Sequence, residues 1–149
     1  MPIFNEQGTL QEIVDRVFKV PIPKQLITVD DGSTDGSRDI LRKMEERFPP
    51  EQLTVIFQPK NSGKGAALRR GIQAARGDYV VIQDADLEYD PNDYIALLRP
   101  CIDNGADVVY GSRFAGGEQR RVLLFWHAVG NRILTTLSNM FTDLNVTDM

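Results

Sequence analysis

The chain has 149 residues, 42% of them hydrophobic and 26% charged, with 12 Gly and 8 Pro. That is the size and balance of one soluble globular domain that buries its own core without staples, which excludes disordered, collagen-like and low-complexity classes. The formal charge of −4 argues against a nucleic-acid partner, whose phosphates call for a basic excess. A lone cysteine, Cys101, and the absence of a basic segment followed by an apolar run make a cytosolic chain the expectation.

Short β-branched runs alternate with amphipathic segments, the pattern of an α/β fold. Thr9 to Val20 carries Leu10, Ile13, Val14, Val17 and Phe18 at helical spacing. Gln25 to Val29 reads as a strand that runs into Asp30-Asp31-Gly32-Ser33. Gly36 to Phe48 repeats the helical period through Ile40, Leu41, Met44 and Phe48, and Pro49-Pro50 stops it. Leu53 to Phe57 is the next strand, Lys64 to Ala75 a helix that ends near Gly77, and Tyr79 to Gln83 an apolar strand emptying into Asp84-Ala85-Asp86. Asp90-Pro91 predicts a cap and first-turn proline for a helix over Asn92 to Ile102, with Gly105 just beyond it and a fourth strand over Asp107 to Tyr110.

Strands separated by single helices predict a parallel sheet, with both acidic loops at carboxyl ends of strands, where open α/β sheets bind ligands. Val122 to Phe141 is too interrupted by His127, Asn131 and Arg132 to cross a membrane. Two readings of it stand: a core helix, or a helix lying in a membrane surface with Phe125 and Trp126 as anchors and Arg120, Arg121 and Arg132 near lipid phosphates.

Asp84, Asp86 and Glu88 put three carboxylates in five residues. Such crowding after a strand is stabilised by a divalent cation; hard oxygen donors without a His or Cys cluster select Mg²⁺ or Mn²⁺, with a diphosphate ligand completing the shell. The alternative is a solvated turn that caps the following helix. Asp30 to Ser37 spaces its acids like a calcium loop, but Arg42 stands where a bidentate Glu is required, which rejects an EF-hand. Its carboxylates either meet a base or ribose or cap the next helix, and different residues can do both. Asn61-Ser62-Gly63-Lys64-Gly65 is not a Walker A loop; it is either a tight turn or a place where backbone N–H groups and Lys64 approach a diphosphate. Arg113, after the fourth strand, suits a phosphate or an acidic neighbour. His127, the single histidine, is either a structural residue or a catalyst or phosphate contact.

Pro2-Ile3-Phe4-Asn5-Glu6, Asp30-Asp31-Gly32-Ser33-Thr34-Asp35, Asn61-Ser62-Gly63-Lys64-Gly65, Asp84-Ala85-Asp86 and Gly111-Ser112-Arg113-Phe114, in that order, resemble the family 2 inverting glycosyltransferases of the GT-A fold. With Phe125-Trp126-His127 and Thr147-Asp148-Met149 they look most like the polyprenyl-phosphate hexosyltransferases related to dolichol-phosphate mannosyltransferase. The resemblance implies a Rossmann-like, mostly parallel sheet flanked by helices. It implies that Pro2, Phe4, Glu6 and Asp31 line the base and ribose pocket with Lys64 and Asp84 beside the nucleotide sugar. By the same resemblance Asp84, Asp86 and Glu88 hold Mg²⁺ or Mn²⁺, and Arg113, His127 and Asn131 meet an acceptor phosphate. Asp86 and Asp148 are then the catalytic candidates, Asp148 falling where relatives that use sugar hydroxyls keep a general base.

Relatives begin with an apolar strand, whereas only Met1 precedes Pro2, and they continue beyond residue 149. The expectation is therefore a single catalytic domain over 1–149 cut at both ends, with the first strand missing and a gap beside Gln25 to Val29. The implied activity is inverting transfer of a hexose from a GDP- or UDP-hexose to a dolichyl or undecaprenyl phosphate, peripherally at the cytosolic face of a membrane. The alternatives are a family 2 transferase acting on a glycan hydroxyl and a non-catalytic fragment that binds a nucleotide sugar.

Overall fold

The structure, a computed structural model, describes residues 1–111 and 125–142, with side chains from 129 onward in the second segment. Strands and helices alternate in chain order: β1 (Pro2–Ile3), α1 (Leu10–Lys19), β2 (Leu26–Asp30), α2 (Ser37–Arg47), β3 (Leu53–Phe57) and α3 (Lys64–Ala74). A 3-10 turn at Pro91–Asp93 leads into α4 (Tyr94–Asn104), and α5 spans Phe125–Thr142. The chain groups into two compact units, Met1–Ile95 and Ala96–Met149.

In the first unit β1, β2 and β3 form a parallel sheet in that order, with Pro2 opposite Val29, Leu26 opposite Leu53 and Asp30 opposite Phe57. The helical spacing read from the sequence is the spacing that is buried: α1 turns Leu10, Ile13, Val14 and Val17 inward, and α2 turns in Leu41 and Met44. These side chains share a core with Ile3, Leu26, Leu53, Ala85 and Tyr94. Phe18 and Phe48, one just beyond that stripe and one at the end of α2, stack with ring centroids 4.3 Å apart.

Three expectations change here. The place beside β2 is filled, not empty: Pro2 and Ile3 pair with it, Val29 N–H donates to Met1 O at 2.9 Å, Asp31 N–H donates to Ile3 O at 2.8 Å, and the Met1 amino group donates to Ile27 O at 2.8 Å. Three residues suffice because Ile3 is fully buried and the flanking backbone completes the ladder. Tyr79 to Gln83 is not a strand, and Tyr79 through Ile82 stay about half exposed. A parallel strand needs a neighbouring backbone edge, and β1 is two residues long with a proline that has no N–H to offer. Asp107 to Tyr110 is likewise irregular, with Val108 and Tyr110 exposed. The Asp90 carboxylate does cap, accepting from Asn92 N–H at 2.9 Å, but it caps the 3-10 turn that precedes α4.

In the second unit α4 ends at Asn104, followed by Gly105 at φ +67°; Gly105 N–H reaches Cys101 O at 3.1 Å and Ala106 N–H reaches Pro100 O at 3.1 Å. α5 buries Thr135 and exposes Ile133, Leu134, Leu137, Met140 and Phe141, which recur on one helical face. No described helix is long and apolar enough to cross a membrane.

Candidate functional site

The turn after β1 is held by the first acidic loop. Asn5 N–H donates to Ser33 Oγ at 3.0 Å, Glu6 N–H to Ser37 Oγ at 2.9 Å and Gln7 N–H to Asp35 Oδ2 at 3.0 Å, while Thr34 N–H donates to Asn5 Oδ1 at 2.8 Å. Asn5 sits at φ +58°, a conformation asparagine tolerates better than most residues. The Ser-Thr-Asp-Gly-Ser run is therefore a bracket for residues 5–7. Burial works to raise the Asp35 pKa, but bonds from Ser37 and the Gln7 backbone win and hold it below its ordinary value.

The two adjacent aspartates at the end of β2 do different work. Asp30 is fully buried; it accepts from Arg38 Nε at 2.6 Å and from the Gly32 and Ser33 N–H groups. Asp31, also buried, accepts from Gln58 Nε2 at 2.8 Å, Ser62 N–H at 2.8 Å and Gly63 N–H at 2.7 Å. The backbone donors of the glycine turn are thus aimed at Asp31, where the sequence left a diphosphate as one option. Gly32 makes the approach possible: it lies at φ +77°, and a Cβ there would stand 2.6 Å from Asn61 N.

The second acidic loop faces the glycine turn. Lys64, the first residue of α3, reaches Asp84 Oδ2 at 2.7 Å. Asp86 Oδ1 accepts from Glu88 N–H at 3.1 Å, and Leu87 between them is at φ +64°. Behind the loop, Gln83 and Tyr94 are buried and joined: Tyr94 O–H donates to Gln83 Oε1 at 2.7 Å, and Gln83 Nε2 donates to Asp84 O at 3.1 Å and Tyr89 O at 3.2 Å. Burial pushes the Tyr94 phenol well above its usual pKa, so its hydroxyl remains a donor.

Pro2, Phe4, Glu6, Asp31, Lys64, Asp84 and Asp86 all line one open cavity of about 260 Å³ at the carboxyl ends of β1 and β2, together with Asn61 and Gly63. The structure thus gathers every residue assigned to the nucleotide sugar and two of the three assigned to metal. Glu88 is not part of that lining, and among the described residues no group of three His, Cys, Asp or Glu lies close enough to hold a metal ion. Arg113 and Asp148 lie outside the described residues, as does the His127 side chain, while Asn131 is partly buried on α5. Gln83, Tyr94 and Gln58 were not singled out in the sequence. The available signal was a lone amide closing the apolar run Tyr79 to Ile82, immediately before the acidic turn.

A family model described as glycosyl transferase family 2 matches residues 1–146. The chain is 32% identical over 119 residues to a dolichol-phosphate mannosyltransferase of Pyrococcus furiosus, a match covering 78% of this chain and 33% of that protein. It is 35% identical over 113 residues to an undecaprenyl-phosphate 4-deoxy-4-formamido-L-arabinose transferase of Edwardsiella ictaluri, covering 73% and 34%. The chain thus spans about a third of the length of these relatives. Among solved structures, mannosyltransferase PcManGT from Pyrobaculum calidifontis, in complex with GDP-Man and Mn²⁺, matches with a TM-score of 0.57 and 32% identity over 64% of this chain and 28% of that one. S. aureus TarS 1-349 matches with a TM-score of 0.59 over 77% of this chain and 38% of that one, and at 23% identity this likeness speaks for the fold alone. The fold is that of the GT-A glycosyltransferases, as the sequence motifs implied.

Proposed function

The chain belongs to glycosyl transferase family 2, and from that premise we propose that it forms the donor-binding part of an inverting hexosyltransferase. The donor is a nucleotide diphosphate sugar and the acceptor a polyprenyl phosphate. The observation that carries this reading is the single cavity that brings Pro2, Phe4, Glu6, Asp31 and Lys64 against Asp84 and Asp86. Support comes from relatives named for dolichol phosphate and undecaprenyl phosphate and from a neighbour solved with GDP-Man and Mn²⁺.

The roles follow from the geometry. Phe4, 45% exposed at the cavity rim, offers a ring face to a nucleobase. Asp31 is already fixed by three N–H donors, so its remaining acceptor capacity meets base N–H or ribose O–H groups from one direction without reorganisation. Among the described residues Lys64 is the cation that lines the cavity, and a diphosphate arriving there competes with Asp84 for it.

The donor set suits Mg²⁺ or Mn²⁺: two hard carboxylates, Asp84 and Asp86, on one wall of a cavity with room for phosphate oxygens and water. Asp84 and Asp86 would hold the ion, with Glu88 next in the same turn. Such an ion, when bound, offsets negative charge on the departing diphosphate. An acceptor phosphate oxygen attacks the anomeric carbon as the bond to the diphosphate breaks, which inverts that centre and releases the nucleoside diphosphate. A phosphate monoester with a second pKa of about 6 is largely ionised at neutral pH and needs little help from a base, so Asp148 serves to orient it, with Arg113, His127 and Asn131 as its anchors. The apolar face of α5 fits a helix that rests in the surface of the lipid-bearing membrane, on its cytosolic side.

Calorimetry with GDP- and UDP-sugars in the presence and absence of Mn²⁺ tests the reading. Metal-dependent binding by the parent chain, abolished in Asp84→Ala and Asp86→Ala, is the expected result. Sugar transfer that survives both substitutions in a full-length enzyme overturns it.

A further inference from the structure

We propose that Gln83 and Tyr94 are positioning residues that staple the two ends of the acidic turn 84–89 and thereby hold Asp84 and Asp86 ready for a divalent cation. The inference rests on the reading of the cavity as a metal-dependent donor site, but the staple itself is visible without it. The Gln83 amide donates to Asp84 O and to Tyr89 O, carbonyls that begin and end the turn. Both amide hydrogens are spent on the loop, and the amide oxygen takes its hydrogen bond from the Tyr94 hydroxyl.

The two carbonyls, which can only accept, fix which way the amide faces, and the Tyr94 hydroxyl locks it by donating to Oε1. A flipped amide would set its oxygen against both carbonyl oxygens, in a place where water does not compensate. Tyr94 belongs to the core cluster of the first unit, so the turn is referred to that core. The loop between the two staple points contains Leu87 at positive φ. A bulky residue in that conformation persists only where its surroundings hold it. Ala85, buried between the two aspartates, packs in the same core as Tyr94. With both ends tied and its middle packed, the turn has its carboxylates set along the cavity before any ligand arrives.

Tyr94→Phe removes one oxygen and keeps the ring in the core. Gln83→Met keeps the volume and removes the amide. In ¹⁵N NMR of the parent chain, the Gln83 side-chain hydrogens are expected to exchange slowly with solvent, and in Tyr94→Phe this protection is lost. Mn²⁺ titrated in the presence of GDP, and separately of UDP, is expected to bind about tenfold more weakly to either variant, the usual scale for groups that orient metal ligands. The double variant is expected to bind no worse than Gln83→Met, because the two residues act as one unit. Nucleotide affinity without Mn²⁺ stays unchanged, a separation that mere loosening of the core would not produce. Mn²⁺ affinity within twofold of the parent in Tyr94→Phe, with Gln83 protection lost, overturns the proposal. If the parent takes up no Mn²⁺ with either nucleotide, the donor-site reading fails. The staple is then decided by the Gln83 resonances, loss of protection in Tyr94→Phe supporting it and retention overturning it.

Discussion

The two acidic loops of the first unit are chemically alike and structurally opposite. In the loop after β2, the carboxylates of Asp30, Asp31 and Asp35 take hydrogen bonds from Arg38, Gln58, Ser62, Gly63, Gln7 and Ser37, several of them about thirty positions away in the chain. In the turn at 84–88, Asp84 meets the Lys64 ammonium and Asp86 meets the N–H of Glu88 two residues on. The first loop uses its negative charge to join distant segments of the chain, with Asp31 also lining the cavity. The second turns two carboxylates toward a cavity, held from behind by a neutral amide.

The framework role of the first loop rests most heavily on its ion pair. Arg38→Met leaves the fully buried Asp30 with backbone donors alone, and breaking a pair of this kind costs about 3 kcal/mol. Urea denaturation should show it as a lower midpoint with an unchanged slope; a loss below about 1 kcal/mol would show that the loop is not the framework described.

A slightly smaller effect is expected from pH. Burial lowers the Met1 amino pKa from 8.0 to about 6, and the nearby charge of Asp84 partly opposes that shift. Between those values the unfolded chain binds the proton that the folded chain has released, so stability rises with pH through this window, is complete above 8 and is lost below 6. Two units correspond to about 2 to 3 kcal/mol. Thermal denaturation of the 149-residue chain from pH 5.5 to 8.5 should follow this rise. Asp84→Asn should move its midpoint to lower pH, and a flat profile would contradict the buried amine.

The smallest stability change belongs to the second loop. Lys64→Met removes a pair whose lysine is 59% exposed, so the change should stay below about 1 kcal/mol. Its effect should appear in binding: Mn²⁺ alone binds more tightly once Asp84 loses its counter-ion, while a nucleoside diphosphate binds more weakly. Calorimetry of both on one variant tests this, and parallel changes of the two affinities would remove Lys64 from the site.

The helices and two of the strands were legible because their signal is periodic and local. Leu10, Ile13, Val14 and Val17 mark a stripe whatever packs on it, and β2 and β3 came within a residue of their observed bounds. Tyr79 to Ile82 has the same apolar, β-branched character and forms no strand, since pairing belongs to two backbones and cannot be read from one. The motif residues at the cavity were legible as types, but not the division of labour between Asp30 and Asp31, which only the positions of Arg38 and Gly63 establish.

Residue order alone carried the helices, β2 and β3 through their local periodicity, and the family through its motifs. Which donors each carboxylate meets, which carboxylates line the cavity, and that Gln83 and Tyr94 bond behind the turn, was decided by folding. Hydrogen bonds between residues distant in sequence depend on direction and distance, and neither quantity exists until the chain has packed.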